Sequence, residues 1–340
     1  MKSLIRKLVE TPGPSGYESQ VREVVRTEIE PLADRVYVDN LGNLIAQAGA
    51  DRPGALKIMV AAHLDEIGIL ATHVDDHGFV RFISNGTVFP RYCPASRVRF
   101  LNGAAGVIGA ERLSDLNRVA SLEQLFIDVG ATSPADCPVR VGDVAVFERP
   151  FLELGDRLVS KALDNRIGVA VMIETMRSLK ATPLYSPHQL FFVFSVQEEV
   201  GVRGATTAAF AIEPDVGIAV EITPTGDTPK GIKMNIGLGK GPAIKVRDQG
   251  MLSDPRIVDW MVETAETNGL PYQLEILELG STDARAIQLS RAGAAAGCLS
   301  VPCRYVHSPS EMVDFEDVQN AVRLLTALLH RPLESLSKSP

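Results

Sequence analysis

The chain has 340 residues, of which 45% are hydrophobic, and it carries a formal net charge of −8 at pH 7. A chain of this size can bury a large core, and its scattered charges form no basic patch for nucleic acid or an anionic membrane. The first segment, MKSLIRKLVE, predicts an amphipathic helix and lacks the continuous apolar run of a signal peptide or membrane span. The cysteines show no paired spacing, so we expect free thiols and a cytoplasmic protein.

Apolar runs in two separated parts of the chain predict the strands of a buried sheet. In chain order these runs are residues 57–63, 190–196, 216–222 and 294–301. Because strands covered by helices on both faces are apolar at nearly every position, we expect an α/β fold with a mostly parallel central sheet flanked by helices. Helical spacing of apolar residues predicts helices over 164–179 and 314–330, the second with Asp314 as its N-cap.

Between residues 68 and 158 the pattern changes to short strands separated by Gly, Asn, Pro and Asp. This pattern predicts a small β-rich module inserted into the α/β domain. The expected organisation is therefore one α/β domain in two segments, 1–67 and 159–340, interrupted by the module at 68–158. The Ser- and Pro-containing end, residues 335–340, predicts a frayed terminus.

Ionisable residues follow the predicted strands at the point where each strand ends. In chain order they are His63 and Asp65, Glu198 and Glu199, Glu221, and His307. Because ligands of open α/β sheets bind at the carboxyl ends of strands, we expect these side chains to meet at one edge. Asp164, at the start of a predicted helix, is expected to face the same edge, although alone it could be an ordinary N-cap.

A two-metal hydrolytic site explains this set of residues. Two divalent cations offset the repulsion and desolvation of several clustered carboxylates. Nitrogen and oxygen ligands without thiolates suit zinc, cobalt or manganese. Because neighbouring strand residues point to opposite faces, one of Glu198 and Glu199 can bind metal while the other faces a water molecule as its base. Asp65 can orient the His63 imidazole by a hydrogen bond, or can simply form a turn.

Several motifs occur in order along the chain: TPGPSGYE, AAHLDEIG, SKALDNRIG, QEEVGVRGA, GSTDARAI and YVHSPSE. Together, from about residue 4 to residue 330, they resemble metallopeptidase family forty-two, the glutamyl and deblocking aminopeptidases that include the tetrahedral aminopeptidases. The resemblance implies a zinc-peptidase-like catalytic domain with an inserted small β-barrel, a PDZ-like domain that takes part in dimer formation. It also implies removal of N-terminal residues from short peptides, by dimers that assemble into tetrahedral dodecamers.

The resemblance further implies a role for each residue of the site. Two divalent ions, zinc or cobalt before manganese, would be bound by His63, Asp164, Glu199, Glu221 and His307. Asp164 would bridge the two ions, Glu198 would be the general base and acid, and Asp65 would support His63. Many members of the family carry Asp where this chain has Glu221.

Three further residues or stretches are assigned from their local sequence. Asp227 is the substitute ligand if Glu221 does not complete the shell of the first metal ion. Asp283, in GSTDARAI, is expected to cap a helix whose preceding loop lines the substrate pocket. The Gly-rich stretch 237–242 lacks the ending of a phosphate loop, so we expect no nucleotide binding.

Two alternative functions remain besides a peptidase. An endoglucanase-like glycoside hydrolase would also use paired carboxylates, but those must flank the scissile bond at about 5–9.5 Å, and adjacent strand-end residues diverge. A non-catalytic scaffold would have lost a metal ligand or the base, whereas each of those positions holds a chemically competent residue.

Overall fold

The computed structural model describes residues 1–49, 54–115, 118–182, 186–331 and 333. Its helices are α1 (Lys2–Glu10), α2 (Ser19–Ile29), α3 (Leu163–Ala181), α4 (Arg203–Ile212), α5 (Pro255–Thr267), α6 (Asp283–Gln288) and α7 (Phe315–His330). Within these described ranges, no helix combines the length and the apolarity that a membrane crossing requires. The predicted frayed end at 335–340 lies outside the described residues.

The strands, in chain order, begin with β1 (Arg35–Val38), β2 (Leu44–Gly49), β3 (Lys57–His63), β4 (Gly68–Val74), β5 (Val80–Asn85), β6 (Arg97–Phe100), β7 (Ala105–Ala110), β8 (Leu125–Asp128) and β9 (Val144–Phe147). They continue with β10 (Leu152–Leu154), β11 (Arg157–Ser160), β12 (Gln189–Ser195), β13 (Val216–Pro224), β14 (Ala243–Arg247), β15 (Gln273–Ile276), β16 (Ala295–Arg304) and β17 (Glu311–Asp314). These strands divide between a large sheet and a barrel.

The large sheet is mixed, with a parallel centre. Its main path runs β1-β2-β12-β3-β13-β16-β17-β11-β10, and β14 and β15 extend from β16. The four central strands, β12, β3, β13 and β16, are the predicted ones and are parallel. The pairs outside them are antiparallel, apart from β14 with β15. The prediction of a mostly parallel sheet is therefore wrong for the sheet as a whole, because edge strands such as the exposed β10 lack the continuous apolarity that identified the centre.

Helices cover both faces of this sheet, as predicted. Alternate residues of β3 show the division: Val60 belongs to the core formed with α1, α2, α3, α5 and α7, and Met59 belongs to the core formed with α4 and α6. The predicted N-cap of α7 is confirmed, because the Asp314 carboxylate accepts the backbone N–H groups of Glu316 and Asp317. The centre of the sheet is thereby buried, and its strand ends are left to form a site.

Strands β4 to β9 close a separate barrel in the order β4-β5-β8-β7-β6-β9. The barrel has its own apolar core, which includes Phe82, Phe100 and Phe147. Its strands lie inside the segment 68–158 that was predicted to be β-rich. However, β10 and β11 pair in the large sheet, so the part of that segment from Leu152 onward is continuous with the α/β fold and not with the barrel.

Candidate metal centre

Three parallel strands bring the predicted residues to one edge of the sheet. His63 is the last residue of β3 and lies opposite Ser195 at the end of β12, so Glu198 follows directly beyond it. Glu221 lies near the end of β13. Asp164 enters this edge from the start of α3, where its backbone is not helical (φ −74°, ψ 108°) and the peptide bond to the next residue is cis. Asp164 does not cap α3, because Ala162 occupies the N-cap position and Oδ1 of Asn165 is the side-chain oxygen that accepts the N–H of Gly168.

The Asp164 carboxylate lies between two imidazoles. Its Oδ1 is 3.1 Å from Nε2 of His63, and its Oδ2 is 3.2 Å from Nε2 of His307. Glu221 Oε2 lies 3.7 Å from the same nitrogen of His63, and Glu199 Oε2 lies 3.5 Å from that of His307. Two clusters thus share one aspartate. We call them the His63 half-site (His63, Asp164, Glu221) and the His307 half-site (His307, Asp164, Glu199).

Glu198 lies beside the His63 half-site, with its Oε2 3.9 Å from Nε2 of His63. The chain reaches this point through Gln197, whose φ of 56° turns it out of the strand direction. The backbone N–H groups of Glu198 and Glu199 then donate to the Asp65 carboxylate at 3.0 and 3.1 Å. One buried carboxylate therefore fixes the backbone of both adjacent glutamates.

The orientation of His63 comes from the main chain of Asp65. Nδ1 of His63 lies 3.0 Å from the Asp65 carbonyl oxygen and 3.5 Å from its carboxylate. Because a carbonyl oxygen only accepts, Nδ1 carries a hydrogen, and Nε2 is therefore the nitrogen that can bind a cation when the ring is neutral. The Asp65 carboxylate also accepts the hydroxyl of Ser15 at 2.6 Å, so it is held as well.

Glu311, like Asp65, is a buried carboxylate that accepts two backbone N–H groups of the centre. It was not identified from the sequence. Its side chain is buried, Oε2 accepts the backbone N–H of Asp164 at 2.9 Å, and Oε1 accepts that of His307 at 2.9 Å. One carboxylate therefore ties the shared aspartate to the histidine of the His307 half-site. The available signal was the motif YVHSPSE, in which Glu311 follows His307 by one short turn.

Two acidic residues have surroundings that differ from those expected. The helix-cap prediction for Asp283 is wrong, because Thr282 occupies the N-cap position of α6. Asp283 is instead fully buried and accepts the hydroxyl of Ser195, and burial raises its pKa to about 6. Asp227 pairs through both carboxylate oxygens with Arg304, at 2.9 and 2.8 Å, so that pair and not a half-site engages it.

The Gly-rich stretch 237–242 is held by a carboxylate of the chain itself. The backbone N–H groups of Gly239 and Gly241 each donate to the buried Asp317 at 2.7 Å. Gly237 donates its N–H to the side-chain amide of Gln273 at 3.0 Å. The donors that would cradle a phosphate are therefore engaged within the fold.

Burial and mutual repulsion give the metal-free centre a high affinity for protons. Burial raises the pKa of Glu198 and of Glu221 well above their ordinary values, and that of Glu199 to about 7. Burial alone would lower the pKa of His307, but the charge of Glu199 and a hydrogen bond to Asp164 raise it to about 9. Like charges this close need protons or cations to coexist.

The donor set fits a divalent cation. His63 of one half-site, Glu199 of the other and the shared Asp164 each offer one ligand atom, and these atoms all lie within 4.8 Å of one another, so the two half-sites are close neighbours. The Oε1 atoms of Glu199 and Glu221 are buried without a hydrogen-bond partner among the described residues. Leaving a buried carboxylate oxygen unpartnered is costly, and a cation removes that cost. Imidazole and carboxylate donors without thiolates suit zinc, cobalt or manganese.

Comparisons with known proteins identify the family. Residues 42–324 match the model of the family described as M42 glutamyl aminopeptidase. A putative aminopeptidase of Acetivibrio thermocellus is 45% identical over 328 residues, which are 96% of this chain and 97% of that protein. The solved aminopeptidase APDkam598 of Desulfurococcus kamchatkensis superimposes with a TM-score of 0.93 at 38% identity, over 99% of this chain and 97% of that one.

A second solved relative is the TET1 peptidase of Pyrococcus horikoshii, which can assemble into a tetrahedron or a large octahedral shell. It matches with a TM-score of 0.87 and 33% identity, over 96% of this chain and 98% of its own. The resemblance drawn from the motifs is thus confirmed along nearly the whole chain. The chain belongs to the M42 glutamyl aminopeptidase family, whose members are metal-dependent, and it is an aminopeptidase, a hydrolase of peptide bonds.

Proposed function

We propose that the chain is a dinuclear metalloaminopeptidase in which each half-site holds one divalent cation. The observation that supports this most directly is that the two oxygens of Asp164 face two different imidazoles, at 3.1 and 3.2 Å. Glu221 and Glu199 then complete the His63 and His307 half-sites respectively, with one unpartnered oxygen each. Zinc or cobalt are the proposed ions, with manganese as the third choice.

Glu198 is the proposed general base and acid. When bound, two divalent cations polarise the scissile carbonyl and lower the pKa of a water molecule from about 15.7 toward about 7. Glu198 accepts a proton at Oε2, 3.9 Å from Nε2 of His63, and returns it to the leaving amine. Asp65 keeps Glu198 in place through its backbone N–H.

Short peptides are the proposed substrates, and a homo-oligomer is the proposed state. Similarity to the TET1 peptidase, which can assemble into a tetrahedron, supports a tetrahedral assembly, and we propose that it is a dodecamer built from dimers. The closed barrel, β4 to β9, is the proposed dimerisation domain and the proposed counterpart of the PDZ-like insert. The proposed catalytic domain then takes residues 1–67 and the chain from Leu152 onward. The free thiols Cys93, Cys137, Cys298 and Cys303 support a reducing compartment, and we propose the cytoplasm.

The deciding experiment combines metal analysis with turnover of aminoacyl-p-nitroanilides. We expect two metal ions per subunit, loss of activity on chelation, and recovery with zinc, cobalt or manganese. Asp164→Asn should lower both metal content and rate, because both half-sites lose a shared ligand. Asp227→Asn is the matched control, since it removes the same charge at a residue paired with Arg304. A fully metallated, active Asp164→Asn protein would refute the bridge.

The same chelation test, with cellulose as the substrate, distinguishes the glycoside hydrolase alternative. A two-carboxylate glycosidase needs no metal ion, so release of reducing sugar from cellulose should survive chelation. We expect no such release. The short distances from Glu198 and Glu199 to imidazole nitrogens, 3.9 and 3.5 Å, favour the metallopeptidase.

A further inference from the structure

We propose that Arg91 binds a carboxylate of the peptide substrate, either an acidic side chain or the free C-terminal carboxylate. Arg91 belongs to the segment between β5 and β6, which we call the barrel loop (residues 86–92). The inference rests on the proposed dinuclear centre, because it concerns what lies beside that centre. It gives the barrel a part in substrate binding in addition to the proposed part in dimer formation.

The barrel loop lies against the His307 half-site. The ring of Phe89 is 6.1 Å from that of His307, centroid to centroid, with a tilt of 34°. At the start of the loop, Gly86 has a φ of +88°, and a Cβ on it would lie 3.1 Å from Cβ of Glu199 and 3.4 Å from its Oε2. Glycine is thus needed both for the backbone conformation and for the close approach. The barrel loop forms one wall of the centre.

Two aromatic rings hold the guanidinium of Arg91. Its Cζ lies 5.1 Å from the centroid of Phe89 and 4.8 Å from that of Tyr92. The two rings meet edge to face, 6.2 Å apart at 86°. Contact with aromatic rings restricts the motion of a guanidinium and leaves N–H groups available for a carboxylate. Less side-chain entropy is then lost when a ligand binds.

Arg91 is exposed, and within the described ranges no carboxylate pairs with it. Two other arginines of the barrel do have such partners: Arg81 pairs with Glu111 at 2.7 Å, and Arg99 pairs with Glu148. The carboxylates of the two half-sites repel a carboxylate of the substrate, whereas the unpaired guanidinium of Arg91 attracts it.

The distance suits a short peptide. The centroid of the Phe89 ring lies 6.1 Å from that of His307 and 5.1 Å from Cζ of Arg91. The His307 ring and Arg91 Cζ are therefore at most about 11 Å apart. An extended peptide advances roughly 3.3–3.6 Å per residue. Two or three extended residues therefore span the distance from the His307 half-site to Arg91.

The test compares two pairs of peptides by kcat/KM. The first pair is Leu-Gly-Gly and its C-terminal amide, and the second is Leu-Glu-Gly amide and Leu-Gln-Gly amide. We expect the native enzyme to prefer the carboxylate member of at least one pair, and Arg91→Gln to reduce that preference about 10-fold, through KM. The pair that responds identifies the source of the carboxylate.

Arg81→Gln is the matched control, because Arg81 is also a barrel arginine stacked on a ring, 5.9 Å from Phe126. It should leave both preferences unchanged. Equal preferences in the native enzyme and Arg91→Gln would overturn the inference while leaving the dinuclear centre intact. Failure of the centre itself has a different signature, since the neutral amides would then be cleaved without metal ions or not at all.

Discussion

Replacing Glu311 by glutamine removes one charge and one acceptor without changing the size of a buried side chain. Glu311 accepts the backbone N–H of Asp164 and that of His307, both at 2.9 Å. A glutamine side chain has one acceptor oxygen, and its NH₂ group would face the other N–H donor. One of the two backbone groups therefore loses its partner, and the distance between Asp164 and His307 is no longer fixed by a single carboxylate.

The expected cost follows from that lost partner. A buried N–H group left without an acceptor costs about 1–3 kcal/mol, and the free energy of unfolding should fall by that amount. Loss of a group that orients a metal ligand typically lowers metal affinity by about 10–100-fold. We therefore expect metal affinity to fall by about this factor at the His307 half-site and less at the His63 half-site, whose own histidine is oriented by Asp65.

Stepwise metal affinity, measured by competition with a chelator, is the assay, and chemical denaturation of the metal-free protein runs beside it. Asp317→Asn is the matched control. Asp317 is also a buried carboxylate that accepts two backbone N–H groups, those of Gly239 and Gly241, at 2.7 Å each. Both variants should lose similar stability, but only Glu311→Gln should bind the second ion more weakly. Equal metal affinities in the two variants would refute the positioning role of Glu311.

Three other outcomes are expected. Glu198→Gln should keep both metal ions and lose most of kcat, and normal turnover would rule out Glu198 as the base. The folded-state pKa values of His307 (about 9) and Glu199 (about 7) exceed their ordinary values, so the metal-free folded chain holds extra protons. As pH rises from about 5 to about 9, the free energy of unfolding of the metal-free chain should therefore fall and its metal affinity should rise. Denaturation and metal titrations across that range check both signs. Lys245 and Glu275 form a buried ion pair at 2.5 Å, so Lys245→Met should cost about 3–5 kcal/mol in chemical denaturation, and adding Glu275→Leu should restore much of it.

The central strands could be predicted from the sequence because a strand buried on both faces is a continuous run of apolar residues. The run at 57–63 became β3 with the predicted bounds, and its final residue, His63, occupies the predicted edge. The outer strands were not readable in that way. β10, for example, is exposed at each residue and carries no such pattern, although it pairs in the same sheet.

The residues gathered at the site were predictable, and so was the support of His63 by Asp65, but the contacts of Glu311 and the burial of Asp283 were not. His63, Asp164 and His307 are residue types with a known affinity for metal ions, and they follow apolar runs. Glu311 accepts backbone N–H groups, and because nearly every residue has one, the motif YVHSPSE places Glu311 near His307 without showing which donors it accepts. Asp283 was assigned to a helix end because its local sequence suits a cap. Its burial beside Ser195 depends on strand β12, which is distant in the chain.

The position of Asp164 between His63 and His307 has a consequence during synthesis of the chain. The two imidazoles come from opposite ends of the chain, at His63 and His307, and α3 carries Asp164 between them. A ribosome adds roughly 5–20 residues per second, so a subunit in synthesis holds His63 and Asp164 for many seconds before His307 exists. The complete pair of half-sites therefore forms only when nearly all of the polypeptide has left the ribosome. On the proposed dinuclear mechanism, the His307 half-site is therefore completed last, and an unfinished subunit has no complete peptidase centre.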